Sequence, residues 1–324
     1  MTTARTDPDT PTVGLRLRGV ELGYGPASAP PVVGPIDLDL PAGATTAIIG
    51  ANGCGKSTLL RGLTRQLPLR AGHIEVLGQD LSGAGAREYA RTVALLPQHP
   101  VALEGMTVAQ LVARGRHPHR GLLGGRGDGD DAAIAAALES TALTELADRE
   151  VTSLSGGQRQ RAWLALVLAQ QTPVVLLDEP TSYLDLAHQV DVLDLVRLLP
   201  DPRSAAPPES AGPHASRPAD NGPAQTAGAP PAAAPRATVV AVLHELNLAA
   251  RCADHLVAMV RGQVVAAGRP AEVLVPEVLA DVFGLDADVM PDPLLGHPVV
   301  LPRGIGDRLP PRTAPASPTA QEYR

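Results

Sequence analysis

The sequence predicts an α/β fold: a core built on a mostly parallel sheet, a flanking antiparallel β-subdomain and an inserted α-helical subdomain. Three observations carry that expectation. The run Gly50-Ala51-Asn52-Gly53-Cys54-Gly55-Lys56-Ser57-Thr58 fits G-x-x-x-x-G-K-[ST]. It lies between a strand-like stretch, 44–49, and leucines at helical spacing: Leu59, Leu60, Leu63 and Leu67. The runs 174–177 and 238–243 are apolar, as in central parallel strands buried on both faces. The runs 15–20 and 36–40 instead alternate apolar with polar residues between glycines and prolines, as antiparallel strands do.

A glycine loop between a strand and a helix N-terminus aims backbone N–H groups at one point, and the helix dipole adds partial positive charge there. Polyphosphate suits that geometry, so the core is expected to be of the P-loop NTPase kind. Lys56 is the chain's only lysine; every other cationic side chain is arginine or histidine. A slim ammonium on a flexible stem can thread along the loop to the β- and γ-phosphates, whereas a guanidinium fork is too broad. Cys54, in the same loop near a helix N-terminus, is expected to be open to alkylation, with the loop's phosphate ligand protecting it.

Composition narrows the class. The chain has 324 residues, 44% of them hydrophobic, which supports a real core. Only 2% are aromatic, so that core must be Leu, Val, Ala and Ile. Net charge is −7 without a polybasic cluster, which argues against nucleic acid as a partner. The N-terminal residues lack an apolar signal segment, and no run of 18 apolar residues occurs. The two cysteines, Cys54 and Cys252, suggest neither a disulfide nor a zinc site.

Residues 1–12 are polar and read as a disordered N-terminus; 13–305 form the domain, and 306–324 a disordered tail. After the antiparallel runs and the loop, 73–77 is a further strand and 93–96 another, ending at Pro97-Gln98. A helical subdomain is expected over about 98–160, interrupted by the glycine-rich stretch 121–129. Within it, 132–146 is Ala-rich; the apolar 161–169 reads as a buried helix. Helices are expected at 188–199, 245–255 and 272–283, with strand 256–260 and a hairpin return at 262–267. Beyond that the chain is Pro-rich and reads as irregular. Residues 201–236 are rich in Pro and Ala with almost nothing large and apolar, and read as a disordered insert. Tyr24, in Leu-Gly-Tyr-Gly, is either an adenine-stacking ring or a half-exposed turn tyrosine.

The P-loop Gly50–Thr58, Gln98, Leu154-Ser155-Gly156-Gly157-Gln158, the 174–178 strand with Glu179, Ser182-Tyr183-Leu184-Asp185 and His244 follow one another in a recognisable order. That order and spacing resemble the ATP-hydrolysing subunit of an ABC transporter. The resemblance covers about residues 13 to 305 apart from the insert. Several runs look like the ATPases of ferric-siderophore, haem and cobalamin importers: 115–119 (Gly-Arg-His-Pro-His), 181–189, 244–251 and the end, Val282-Phe283-Gly284 followed by Asp292-Pro293 and Pro298. The siderophore branch is the nearest. The departures are the insert and the glycine-rich stretch 121–129, which falls where the helical subdomain would touch a permease.

The resemblance implies ATP and Mg²⁺ as cofactors. Gly50, Ala51, Asn52, Gly53, Cys54, Gly55, Lys56, Ser57 and Thr58 would cradle the phosphates, with Tyr24 at the base. Ser57 and Asp178 would hold the metal, and Gln98 either the metal or the attacking water. Glu179, one residue past its strand, would be the general base, and His244 would hold the γ-phosphate and the water. Ser155, Gly156, Gly157 and Gln158 open a second helix, a second anion site with no second P-loop to pair with. The family answers this with a head-to-tail homodimer, each signature loop closing over the other subunit's ATP and Asp185 at the seam. An integral membrane permease and, indirectly, a substrate-binding protein are the further partners, placing the chain on the cytoplasmic face of the cell membrane. The alternatives are a haem or cobalamin importer, a non-transport relative acting on ribosomes or DNA, and a P-loop kinase. The kinase leaves the signature stretch unexplained.

Overall fold

A computed structural model describes residues 13–26, 28–98, 100, 104–121, 127, 129–182, 184–204 and 235–304. The expected tails 1–12 and 306–324, Tyr183 and most of the insert lie outside the described residues.

Two sheets sandwich the P-loop helix. The first is antiparallel, in the order β2-β1-β4-β5, from β1 (Val13–Leu22), β2 (Val33–Pro41), β4 (Ala71–Val76) and β5 (Gln79–Asp80). The second has six strands: β3 (Thr45–Gly50), β6 (Val93–Leu96), β7 (Val174–Asp178), β8 (Thr238–Val242), β9 (His255–Val260) and β10 (Gln263–Gly268). Its order is β10-β9-β3-β8-β7-β6, parallel except for the β9–β10 hairpin at one edge.

The continuous apolar runs in β3, β7 and β8 are explained by the two layers they serve. A strand alternates its side chains between faces. Ala47, Ile49, Val175, Leu177, Val239 and Ala241 enter one core, against helices α6 (Leu186–Arg197), α7 (Leu246–Cys252) and α9 (Pro276–Phe283). Ile48, Val174, Leu176, Val240 and Val242 enter the other, with α1 (Lys56–Leu63) and the antiparallel sheet. In α1, Leu59, Leu60 and Leu63 are at most 1% exposed, each burial contributing roughly 1.5–3 kcal/mol. Leu67 lies past the end of α1 but still packs on that core.

The helical subdomain has a core of its own. It joins α3 (Val108–Ala113), α4 (Asp130–Ser140) and α5 (Gly156–Gln170). Helix α5 runs ten residues past the expected boundary at 160 and is shared by both cores: Leu164 and Val167 face the sheet, and Ala162 and Ala165 the subdomain. At its far end the Gln170 side chain donates to Ala90 O at 2.6 Å and to Val93 O at 3.4 Å, Val93 being the first residue of β6.

Several boundaries differ from the sequence expectation. Helix α7 stops at Cys252, so His255 opens β9 rather than closing a helix. The helix expected at 272–283 is two, α8 (Pro270–Val273) and α9, because Pro276 starts a new one. Helix α2 (Ala86–Thr92) was not anticipated. The Pro-rich end is not irregular: β11 (Ala287–Pro291) and β12 (Pro298–Pro302) form an antiparallel hairpin. The insert boundary also moves. Ala237 N donates to Leu199 O at 2.9 Å and Asp201 N to Pro235 O at 2.8 Å, flanking a bridge between Pro200 and Arg236. Residues 199–201 and 235–237 are therefore a paired neck, and residues 201–204, 235 and 236 are ordered rather than part of a disordered stretch.

Candidate active site

Four neighbouring strands of the parallel sheet end at the same edge. β3 runs into the P-loop, β8 into His244, β7 into Asp178-Glu179 and β6 into Gln98. In open α/β sheets ligands bind beyond the carboxyl ends of the strands, so strand order alone gathers these residues.

The P-loop is shaped by its glycines. Gly50 has φ 154°, and a Cβ there would lie 2.4 Å from Met259 O; Gly55, the cap of α1, has φ 110° and no room beside Val33. Lys56 is 6% exposed and its Nζ donates to Gly50 O at 2.8 Å and Ala51 O at 3.1 Å, so the ammonium is folded over its own loop. Ser57 Oγ donates to Asp178 Oδ1 at 3.1 Å. Tyr24 is 47% exposed, and its hydroxyl lies 3.4 Å from Thr58 Oγ1 and accepts from Arg61 at 3.0 Å. That brings the tyrosine to the first turn of α1. Cys54 is not where an alkylating reagent could meet it: the thiol is buried in the core beneath the loop, which removes the expectation of ready modification.

Glu179 is held from several sides. His244 Nε2 lies 2.6 Å from its Oε1, Ser182 Oγ donates to its Oε2 at 3.0 Å, and Gln98 also hydrogen-bonds the carboxylate. Burial pushes its pKa up, but the bonds from His244, Gln98 and Ser182 outweigh that and leave it below the ordinary glutamate range. Its φ of 55° is left-handed, a conformation that strains any residue with a Cβ and is kept only where the surroundings enforce it. Asp178 has the opposite balance. Burial, with the Glu179 charge adding to it, raises its pKa against the Ser57 hydrogen bond and the Lys56 and Arg61 charges. Two adjacent carboxylates are thus tuned apart. Gln98 in this arrangement serves Glu179.

A second group lies apart from the first. Ser155 caps α5 through a reciprocal capping box: Gln158 N donates to Ser155 Oγ at 3.3 Å and Ser155 N to Gln158 Oε1 at 3.1 Å. Ser155 and Gly156 are exposed. With Gly157, Gln158, Arg161, Leu184, Asp185 and His188 the serine lines a recess of about 210 Å³. Asp185 caps α6, accepting from His188 N at 3.0 Å, and pairs with the His188 ring at 2.6 Å. Among the described residues no hydrogen bond joins Ser155–Gln158 or Asp185 to the P-loop, Asp178, Glu179 or His244.

Sequence reasoning quoted Ser182 and His188 within its motifs but gave them no role, and it did not single out Arg61. Ser182 had a signal, a hydroxyl three residues after the candidate base. Arg61 had none, because its contact with Tyr24 spans 37 residues.

A family model described as ABC transporter matches residues 33–182. The probable siderophore transport system ATP-binding protein YusV of Bacillus subtilis (strain 168) is 41% identical over 287 residues, 89% of this chain and 92% of that protein. The chain belongs to the ABC transporter ATP-binding family. The ferric enterobactin transport ATP-binding protein FepC of Escherichia coli (strain K12) is 40% identical over 304 residues, 93% and 97% of the two chains. A hemin import ATP-binding protein, HmuV of Rhodococcus jostii (strain RHA1), matches at 37% over 92% of this chain and 91% of its own. Among solved structures, a putative metal-chelate type ABC transporter in an inward-facing conformation superimposes with TM-score 0.66 at 27% identity, covering 90% of this chain and 98% of that one. As an ABC ATPase the chain binds and hydrolyses ATP.

Proposed function

We propose that this ABC ATPase energises uptake of a metal chelate, a ferric siderophore, through a separate integral membrane permease. The observation that carries the reading is similarity along almost the whole chain to siderophore-system ATP-binding proteins at 40–41% identity. Haem import is the second reading, favoured by the 37% match to HmuV. Cobalamin import remains a third, on the same footing in the nucleotide site. Among the described residues no helix is long and apolar enough to cross a membrane. In this proposal the chain sits on the cytoplasmic face of the membrane, bound to the permease and served indirectly by a substrate-binding protein.

The proposed reaction follows from the site. The P-loop amides and the α1 dipole bind the β- and γ-phosphates, and Lys56 moves from its own carbonyls onto them. Ser57 and Asp178 supply hard oxygens 3.1 Å apart, a donor pair that fits Mg²⁺ completed by phosphate oxygens and water. That ion would neutralise phosphate charge. Glu179 accepts the proton of the attacking water, and its depressed pKa keeps it ionised for that role. His244 and Gln98 orient the base and the water from neighbouring strands. Ser155 and Gly157 act in trans: their exposed helix start needs an anion that the P-loop of a second copy would present, which makes a head-to-tail homodimer the hydrolysing unit.

The test is uptake in a strain lacking the gene. Labelled ferric siderophore uptake should be lost while haem and cobalamin uptake persist, and a Glu179→Gln copy should fail to restore it. Loss of haem or cobalamin uptake instead would reassign the cargo.

A further inference from the structure

The hairpin β11–β12, which the sequence did not announce, touches the active site indirectly. Its ladder pairs Val289 with Val300, Met290 with Val299 and Pro291 with Pro298. Beyond each end, Asp292 N donates to His297 O and Arg303 N to Asp286 O. Hydrogen-bonded and non-hydrogen-bonded pairs alternate along an antiparallel ladder. Counting inward from those two bonds, Val300 falls on a non-bonded pair. Its N–H and C=O therefore point away from β11, with no backbone partner among the described residues.

One side chain satisfies both. Asn247 Oδ1 accepts from Val300 N at 2.7 Å, and Asn247 Nδ2 donates to Val300 O at 3.2 Å. Asn247 is the second residue of α7, in its first turn, and helix propensity alone does not call for an asparagine there. The bidentate contact supplies the physical reason: its amide stands in for a neighbouring strand.

The position matters because of what precedes it. Leu243 is tied to the sheet, its N–H donating to Ile48 O at 3.2 Å. Asn247 is tied to the hairpin, which is itself seated by buried Ala287 and Val300 in the sheet's core. Between these anchors lie His244, Glu245 and Leu246. His244 reaches Glu179 at 2.6 Å from this short span.

We infer that Asn247 is a positioning residue for ATP hydrolysis, through which the C-terminal hairpin fixes the span that carries His244 against Glu179. The inference rests on the reading of His244 as part of the hydrolytic site. It gives the hairpin a function, because a change in the hairpin's seating is transmitted to the γ-phosphate side of the site through one amide.

The experiment compares Asn247→Ala, Asn247→Asp and His244→Ala in the full chain, alongside the unaltered protein. Asn247 is itself exposed, so folding should survive the change. Misplacing a catalytic group by about an ångström costs up to ~100-fold, so Asn247→Ala should lower kcat by about tenfold and leave the KM for ATP within about twofold. Asn247→Asp keeps the acceptor for Val300 N–H and should recover part of the loss. Hydrogen exchange read by mass spectrometry should show faster exchange in a peptide spanning Val300 in Asn247→Ala. An unchanged kcat in Asn247→Ala, beside an inactive His244→Ala, overturns the inference alone. Normal turnover in His244→Ala overturns the reading of His244, and this inference with it. A matched rise in KM and fall in melting temperature at constant kcat would make Asn247 a structural tie only, and also overturns it.

Discussion

The two ends of the parallel sheet are built on opposite principles. At the carboxyl end, charge and strain are kept unresolved. Asp178 is buried with its pKa raised, Glu179 is held in a left-handed conformation, and Lys56 rests on backbone carbonyls rather than on an acid. At the amino end several backbone groups are held by side chains of the same chain. Thr45 N donates to Asp254 at 2.9 Å, Arg236 pairs with that same carboxylate at 3.1 Å, and Gly43 N donates to Thr238 Oγ1 at 3.0 Å. The neck at 199–201 and 235–237 belongs to this second end. The contrast teaches where a chain can be lengthened: insertion is tolerated where the backbone is already satisfied, and costly where it waits for a ligand.

The hardest blow to the contrast would come from Glu179→Gln. Turnover should fall by about 10²–10⁴-fold with ATP binding retained, and the protein should accumulate as a dimer in gel filtration with ATP. Normal turnover would remove the carboxyl end's claim to the chemistry.

Next comes the pin that holds the far end of α5. Arg116 and Asp130 form a buried pair at 2.8 Å, and Arg116 also donates to Ala169 O and Gln171 Oε1. Asp130→Ala strands that guanidinium and should cost about 3–5 kcal/mol in urea unfolding. The Arg116 hydrogen bond, against the opposing effect of burial, holds the Asp130 pKa below 3.8, its ordinary value. The pair's contribution is therefore complete above pH 3.8 and fades as pH falls through the lower folded-state value. A stability gap between parent and Asp130→Asn that widened on acidification would contradict this.

Removing residues 205–234 and joining the neck with a short Gly-Ser turn should leave ATPase activity within about twofold. Shortening the closed loop should stabilise the fold by no more than about 2 kcal/mol. A collapse of activity would show that the amino end is not neutral. The smallest effect is expected from Arg236→Ala. Its pair with Asp254 is about one-third exposed, so the loss should stay below about 1 kcal/mol in the same unfolding assay.

The site was more legible than the fold around it, for a physical reason. Gly50, Lys56, Ser155 and Glu179 are constrained by short-range geometry at strand and helix ends, which leaves a local pattern. Strands β3, β7 and β8 were legible because both their faces are buried. The hairpin β11–β12 was not. Its prolines argued against strands, but Pro291 and Pro298 are paired with each other at a position where no ladder bond is lost. Helix α5 was legible in the apolar run 161–169 and in the residues that open it, but its ties to Arg116 and Ala90 were not, because those partners are distant in sequence. The neck was invisible because its pairing joins positions more than thirty residues apart, Pro200 and Arg236.

That neck also makes the chain a natural socket. Paired strands lie roughly 5 Å apart, so the chain leaves the body and re-enters it almost at one point. Any folded module with adjacent termini could be spliced between 204 and 235 without prising the two sides apart. A fluorescent protein placed there on each copy would report, by energy transfer in living cells, whether two copies come together around nucleotide as proposed.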